Sequence, residues 1–335
     1  MIIRRWWLKC TGQRVLSHVP AGHRLNALWR ARQRATALNR DLLDQSLRYV
    51  RTLRSLGYDL EGRVALEVGP GWTPVMAYVL RLAGCRKVVL CDTTRHLTPN
   101  LLRATLRLMR GSAETLAVEL GLMRADIEAI LPHPASLDFP GLLAASGFDY
   151  RAPYALEQAE DLAESVDLVA THAVLEHVPG PQLLPLLRAT RRVLRPEGLA
   201  IHFIDHVDHW HHFDPGISPI NFLKFPPWWW TILNSPLAYQ NRLRFTRHLA
   251  YIQEAGFEVI RLELHVDSQA FQDSRRLRLH QEFQTCTPLE TAVTSSFVVA
   301  RPEPLLAARE PPAASDGMDR PEEPSQPSLR PSHSA

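Results

Sequence analysis

Glu67-Val68-Gly69-Pro70-Gly71-Trp72-Thr73 stands where a short apolar run, Val64–Val68, gives way to a helical pattern over residues 75–83. Glycines in such a turn let the backbone come close to a ligand, and the free N–H groups of the helix that follows suit the ligand's polar parts. Two glycines can also be plain turn chemistry, so the turn alone does not separate a binding loop from a bend. Asp92 adds to it. This acid follows the next apolar run, Lys87–Cys91, about 20 residues on, where a carboxylate can accept hydrogen bonds from both hydroxyls of a ribose. The pair points to a cofactor that carries a nucleoside. A dinucleotide loop needs a third glycine where this chain has Pro74, and Glu67 would repel a diphosphate while suiting a cationic amino-acid group.

Outward from this turn, β-rich runs alternate with helical stretches, which is the pattern of βαβ units around a parallel sheet. Strands are expected at 64–68, 87–91, 148–150, 166–170, 199–204, 257–264 and 295–300. Helices are expected at 75–83, in several pieces between 99 and 131, at 181–194, and at 246–255, where Gly256 ends the last of them. Ahead of the first strand, Leu38, Leu42, Leu43, Leu47, Val50, Leu53 and Leu56 recur at helical spacing and Gly57 supplies a stop. The expected organisation is a helical extension over 1–60, an α/β domain over 61–301 with an insertion at 206–244, and a proline-rich tail at 302–335 that is too poor in apolar residues to fold.

With 335 residues, 45% of them hydrophobic and 22% charged, the chain is neither fibrous nor wholly disordered. Its 38 basic residues include only Lys9, Lys87 and Lys224 as lysines, and 35 acidic residues leave a net charge of +3. Such a weak field does not favour a nucleic-acid partner. The four cysteines form no CxxC pair, which fits a reducing compartment. No apolar run reaches the ~18 residues of a membrane span, and the apolar stretch after Arg5 is too short for a signal peptide. A cytoplasmic protein is expected. Trp6 and Trp7 among basic residues, with Trp228-Trp229-Trp230 later, leave room for a weak peripheral contact at the inner face of a membrane.

Four stretches together resemble the class I S-adenosylmethionine-dependent methyltransferases of the small-molecule, type 11-like branch. They are Leu66-Glu-Val-Gly-Pro-Gly71, Val88-Val-Leu-Cys-Asp92, the run from Asp167 to Val178 with its Leu175-Glu-His177 turn, and the run from Leu187 to Phe203 through Arg195-Pro-Glu-Gly198. The resemblance covers about residues 63–301. It implies a Rossmann-like domain with a mostly parallel seven-stranded sheet, helices on both faces, and S-adenosylmethionine as cofactor. Glu67, Gly69, Pro70 and Gly71 would then surround the methionine part, Asp92 with Thr93 the ribose, and Thr171 with His172 the sulfonium end. Two departures stand out: Thr73 occupies the place of a third glycine, and 149–157 lacks the clear acid that often meets the adenine amine.

Methyl transfer from a sulfonium needs mainly in-line positioning, and a base only for a weakly acidic acceptor. His172, Asp205 and His206 are the expected catalytic residues, with His177, Asp208 and His209 as further candidates. The run His206–His212 matches no metal-ligand spacing, so no metal is expected. Arg242 and Arg244 could bind an anionic acceptor or merely start a helix. The expected reaction is methylation of an oxygen or nitrogen of a small molecule, with a sugar, lipid or other envelope-related metabolite as the acceptor. A nicotinamide-dependent oxidoreductase and a non-catalytic binding protein of the same fold stand as alternatives.

Overall fold

The computed structural model describes residues 5–20, 22, 40–135 and 137–304. The tail beyond 304, where disorder is expected, lies outside the described residues, as do residues 23–39 of the expected helical extension. The first elements are α1 (Arg5–His18), α2 (Arg40–Ser55), β1 (Val64–Val68), α3 (Val75–Leu82) and β2 (Lys87–Cys91). Four helices follow, α4 (Pro99–Gly111), α5 (Ala113–Leu120), α6 (Arg124–Ile130) and α7 (Phe139–Ala145), and then β3 (Phe148–Arg151), β4 (Val166–His172), α8 (Gly180–Val193) and β5 (Leu194–Asp205). The remainder comprises α9 (His209–Phe213), α10 (Pro227–Leu233), α11 (Phe245–Glu254), β6 (Phe257–Val266), α12 (Ser268–Arg276), α13 (Pro288–Ala292) and β7 (Val293–Pro302).

The strands form one sheet in the order β3-β2-β1-β4-β5-β7-β6. Pairing is parallel from β3 to β5, and β7 runs antiparallel to both β5 and β6. This is the mostly parallel seven-stranded architecture that the alternation implies. Because successive side chains of a strand face opposite ways, Ala65, Leu168, Ala170, Ile201, Phe297 and Val299 join an apolar layer with α2 to α7. Their neighbours Leu66, Val169, Ala200, Val298 and Ala300 join a second layer with α8 and α11 on the other face. A strand buried on both faces must be apolar throughout, which is why β1, β2 and β4 read as continuous hydrophobic runs. Each fully buried Leu or Phe contributes about 1.5–3 kcal/mol, so these two layers hold the sheet.

Some boundaries differ from the sequence expectation. β5 starts at Leu194 rather than 199, because the stretch through Pro196 is already extended beside an irregularity in register between Val166 and Leu168. α12 and α13 fill a segment with no expected helix, and the insertion holds two short helices.

A third apolar cluster joins α1, the insertion and the 268–292 segment. Trp6 is 3% exposed, stacks on Trp7 at 4.3 Å between centroids, and approaches Trp210 and Phe225 at 6.5 and 6.3 Å. Trp230 is buried against Phe222, while Trp228 is 66% exposed. Trp6 and Trp230 therefore form core, and neither is available for the peripheral membrane contact that the sequence leaves room for. A short helix turns consecutive residues about 100° apart, so three tryptophans in a row must spread from core to solvent. Trp228→Ala is expected to leave thermal stability within about 0.5 kcal/mol of wild type, measured by melting. Among the described residues no helix is long and apolar enough to cross a membrane.

Candidate functional site

Strand register places the expected residues along one end of the sheet. Arg151, Cys91, Val68, Thr171 and His202 form a row across β3, β2, β1, β4 and β5. One residue further out along each strand stand Gly69, Asp92, His172 and Phe203. The crossover direction changes between β1 and β4, and the crevice outside the carboxyl ends at such a point is where open α/β sheets bind ligands.

The glycine turn is built for close approach. Gly69 and Gly71 have φ of +69° and +61°, and a Cβ on Gly69 would lie 2.8 Å from Val174 Cγ2. Gly69 N–H donates to the Cys91 carbonyl at 2.8 Å, which fixes the turn against β2. No side chain caps the start of α3. Asp92 accepts from Gly71 N–H at 3.2 Å and from Thr94 N–H at 3.0 Å, so one carboxylate ties the first loop to the second. Burial pushes its pKa up, while the Thr94 and Gly71 N–H groups and His96 pull the other way. Thr93 is exposed beside it. Trp72 and His96, which sequence reasoning left out of the site, bring their rings to 4.5 Å and join the same two loops.

Glu67 is 5% exposed and its Oε2 has no hydrogen-bond partner. Burial lifts its pKa to about 8, against a backbone N–H of Ala77 that lowers it and with Asp92 adding to the rise. A cation beside it would draw off the proton and relieve the desolvated carboxylate. Between the unfolded pKa of about 4.3 and the folded value, the folded chain holds a proton that the unfolded chain has lost, so this group makes stability fall as pH rises through that window. Glu67→Gln is expected to make the melting temperature fall less steeply than wild type between about pH 5 and pH 8. Parallel wild-type and variant slopes would show that the buried acid carries no proton.

At the ends of β4 and β5, Thr171 is buried with its hydroxyl 2.9 Å from His202 Nδ1, so its side chain is engaged inside the sheet. The Tyr49 hydroxyl, from α2, donates to the Thr171 carbonyl at 2.7 Å and stands 3.3 Å from His172 Nδ1. With its only hydrogen given to the carbonyl, Tyr49 can take a hydrogen bond from His172 Nδ1–H, which leaves Nε2 as the acceptor nitrogen. The His172 ring lies on Phe203 at 4.8 Å, nearly parallel, and burial lowers its pKa to about 4 despite Asp205. His172 is thus held neutral. Tyr49 is the link between the N-terminal extension and this crevice.

Two sequence expectations are corrected here. Asp205 and His206 are not a working pair, since neighbours on a strand point to opposite faces. His206 is 2% exposed with Nε2 2.9 Å from Ser296 Oγ, and burial drives its pKa well below the usual value. Asp205 instead meets His212 Nε2 at 2.9 Å; burial raises its pKa, and the His212 bond with nearby His209 outweighs that and lowers it. Arg242 and Arg244 are buried and bond to backbone carbonyls, Arg242 to those of Phe222 and Phe225, Arg244 to those of His206, Thr291 and Val293. They hold the insertion in place, so neither offers a free charge to an anion.

The His206–His212 run scatters in space: His211 bonds to the Ile217 carbonyl and His212 to Asp205. Only His209 turns towards the 175–177 turn, where it meets Glu176 and His177, a gathering that no spacing in the sequence reveals. A cavity of about 650 Å3 opens elsewhere, between Trp6, Trp7, His211, Asn221, Phe225 and Asp273, and no residue of the glycine turn or Asp92 lines it.

Residues 141–202 match the family model described as a methyltransferase domain. No curated protein matches the chain by sequence. Among solved structures, the chain is similar to an S-adenosylmethionine-dependent methyltransferase from Mesorhizobium loti, with 16% identity over 77% of this chain and 99% of that one and a TM-score of 0.43. It is similar also to 1,6-didemethyltoxoflavin-N1-methyltransferase from Burkholderia thailandensis, solved with bound 1,6-didemethyltoxoflavin and S-adenosylhomocysteine, with 11% identity over 78% of each chain and a TM-score of 0.41. The family match runs from within α7 through the end of β4 to His202 in β5, and the glycine turn with Asp92 lines the same crevice on its other side. What the chain shares with a known family by sequence is thus the methyltransferase-domain segment over residues 141–202.

Proposed function

We infer that the enzyme transfers the methyl group of S-adenosylmethionine to an oxygen or nitrogen of a small molecule, such as a sugar, a lipid or another envelope-related metabolite. The observation that carries this reading is the neutral His172, whose Nε2 is left as an acceptor by the Tyr49 contact at the ends of β4 and β5. A hydroxyl or amine that donates to that nitrogen has its lone pair oriented, and orientation supplies much of the rate when the donor is an activated sulfonium. Glu67 and the turn Gly69-Pro70-Gly71 would hold the methionine part, and Asp92 the ribose. Thr171 would act from within the sheet, by fixing the Tyr49 hydroxyl that positions His172.

Glu67 also speaks against the nicotinamide alternative, because a buried acid with an unpartnered Oε2 gains from an ammonium, which draws off its proton, and has nothing to offer a diphosphate. The test gives the purified chain methyl-labelled S-adenosylmethionine and a cell extract separated into small-molecule, protein and nucleic-acid fractions. Label is expected in the small-molecule fraction, with His172→Ala lowering the rate by about 10- to 100-fold at unchanged S-adenosylhomocysteine affinity. Label confined to protein or nucleic acid would overturn the acceptor class.

A further inference from the structure

Glu176, His177 and His209 each offer one ligand atom, and these three atoms lie within 4.8 Å of one another. Two come from the turn after β4 and the third from the start of α9, so the set exists only in the folded chain. Glu176 is 1% exposed, and neither of its carboxylate oxygens has a hydrogen-bond partner. A buried acid left in that state costs free energy unless something positive meets it.

The surroundings orient the other two. His177 Nδ1 lies 2.6 Å from the Tyr239 carbonyl, which can only accept, so in the neutral ring Nδ1 carries the hydrogen and Nε2 keeps its lone pair. That is the usual arrangement of an imidazole prepared for a metal. The His177 and His209 rings are 4.9 Å apart, and Asp205 Oδ2 is 3.7 Å from His209 Nε2. Residues 239–241 fix all three positions: Tyr239 through His177, Gln240 Oε1 through the His209 N–H at 3.1 Å, and Asn241 N–H through the Glu176 carbonyl at 2.7 Å. One segment of the insertion therefore preorganises the whole cluster.

We propose that Glu176, His177 and His209 bind a divalent first-row transition metal, with zinc as the best fit, at the carboxyl ends of β4 and β5. Two imidazoles and a carboxylate are a common ligand set for such ions, and three protein ligands leave a fourth position for water or a substrate oxygen. The exposed His177 leaves the cluster open to solvent. The cation would lie next to the acceptor region, and that role rests on the methyl-transfer reading; the site itself does not.

Zn2+ alone, and Mn2+ alone in a second series, is titrated into the full-length chain after treatment with a chelator. About one equivalent of Zn2+ is expected to bind, with Glu176→Gln and His209→Ala each weakening it by at least about 10-fold. His211→Ala, whose ring is tied to the Ile217 carbonyl, is expected to bind as wild type does. S-adenosylhomocysteine affinity is measured on the same preparations. If it is unchanged in the variants while zinc is lost, the loss belongs to the cluster and not to the fold. Zinc binding with no cofactor binding in wild type would leave the cation site standing and remove its catalytic role. No stoichiometric zinc in wild type, or zinc that survives both ligand variants, overturns the proposal.

Discussion

Asp92→Ala is expected to lower affinity for S-adenosylhomocysteine by about 100-fold or more. A carboxylate that accepts from two ribose hydroxyls makes two charge-assisted bonds of about 1.5–3 kcal/mol each, and a loss of about 2.8 kcal/mol is already 100-fold. The substitution also removes the acceptor shared by Gly71 N–H and Thr94 N–H, so the two loops lose their common tie. The backbone of residue 92 still accepts from Tyr154 N–H, so the strand end itself should hold. Calorimetric titration of both proteins, with NAD as a control ligand, reads the effect. An affinity equal to wild type would move the ribose away from Asp92 and reopen the assignment of the whole crevice.

Gly69→Ala is expected to destabilise the fold by about 2–5 kcal/mol, from two separable sources. A side chain at φ +69° costs about 1–2 kcal/mol. The added Cβ, 2.8 Å from Val174 Cγ2, forces overpacking worth about 1–3 kcal/mol more. Gly57 provides the comparison: its φ is +70° and an added Cβ meets nothing within 4 Å, so Gly57→Ala carries only the backbone part. Adding Val174→Ala to Gly69→Ala should recover the steric part and leave the backbone part. Thermal melting of the four proteins separates the two. If Gly69→Ala and Gly57→Ala lose the same stability, the close approach to Val174 is not a constraint.

Much of the fold was legible because the strands of the parallel part are buried on both faces. Val64–Val68 and Val166–His172 show up as apolar runs bounded by turn residues, and no other reading of them survives. The cofactor crevice was legible for a similar reason, since Gly69, Gly71 and Asp92 are fixed by local backbone needs that a one-dimensional pattern displays. What escaped depends on long-range contact. Nothing near Tyr49 in sequence says that its hydroxyl reaches the end of β4, more than a hundred residues away. His206 looked available because its neighbours are polar, yet strand alternation turns it inwards to Ser296 on β7. α12 and α13 carried readable start signals, Asp267 accepting from Ala270 N–H and Thr287 from Glu290 N–H, in a segment with few apolar residues to mark a core face.

β7 is the last strand of the sheet in sequence and lies between two earlier ones. While the chain is being made on a ribosome, the edge of β5 from Ala200 to Asp205 stays open, and β6 has no neighbour until Val293–Pro302 has left the exit tunnel. Until then the nascent chain displays an unpaired edge on β5, the kind of surface that chaperones cover and that other chains pair with. The sheet therefore closes by insertion of its final strand rather than by growth at an edge.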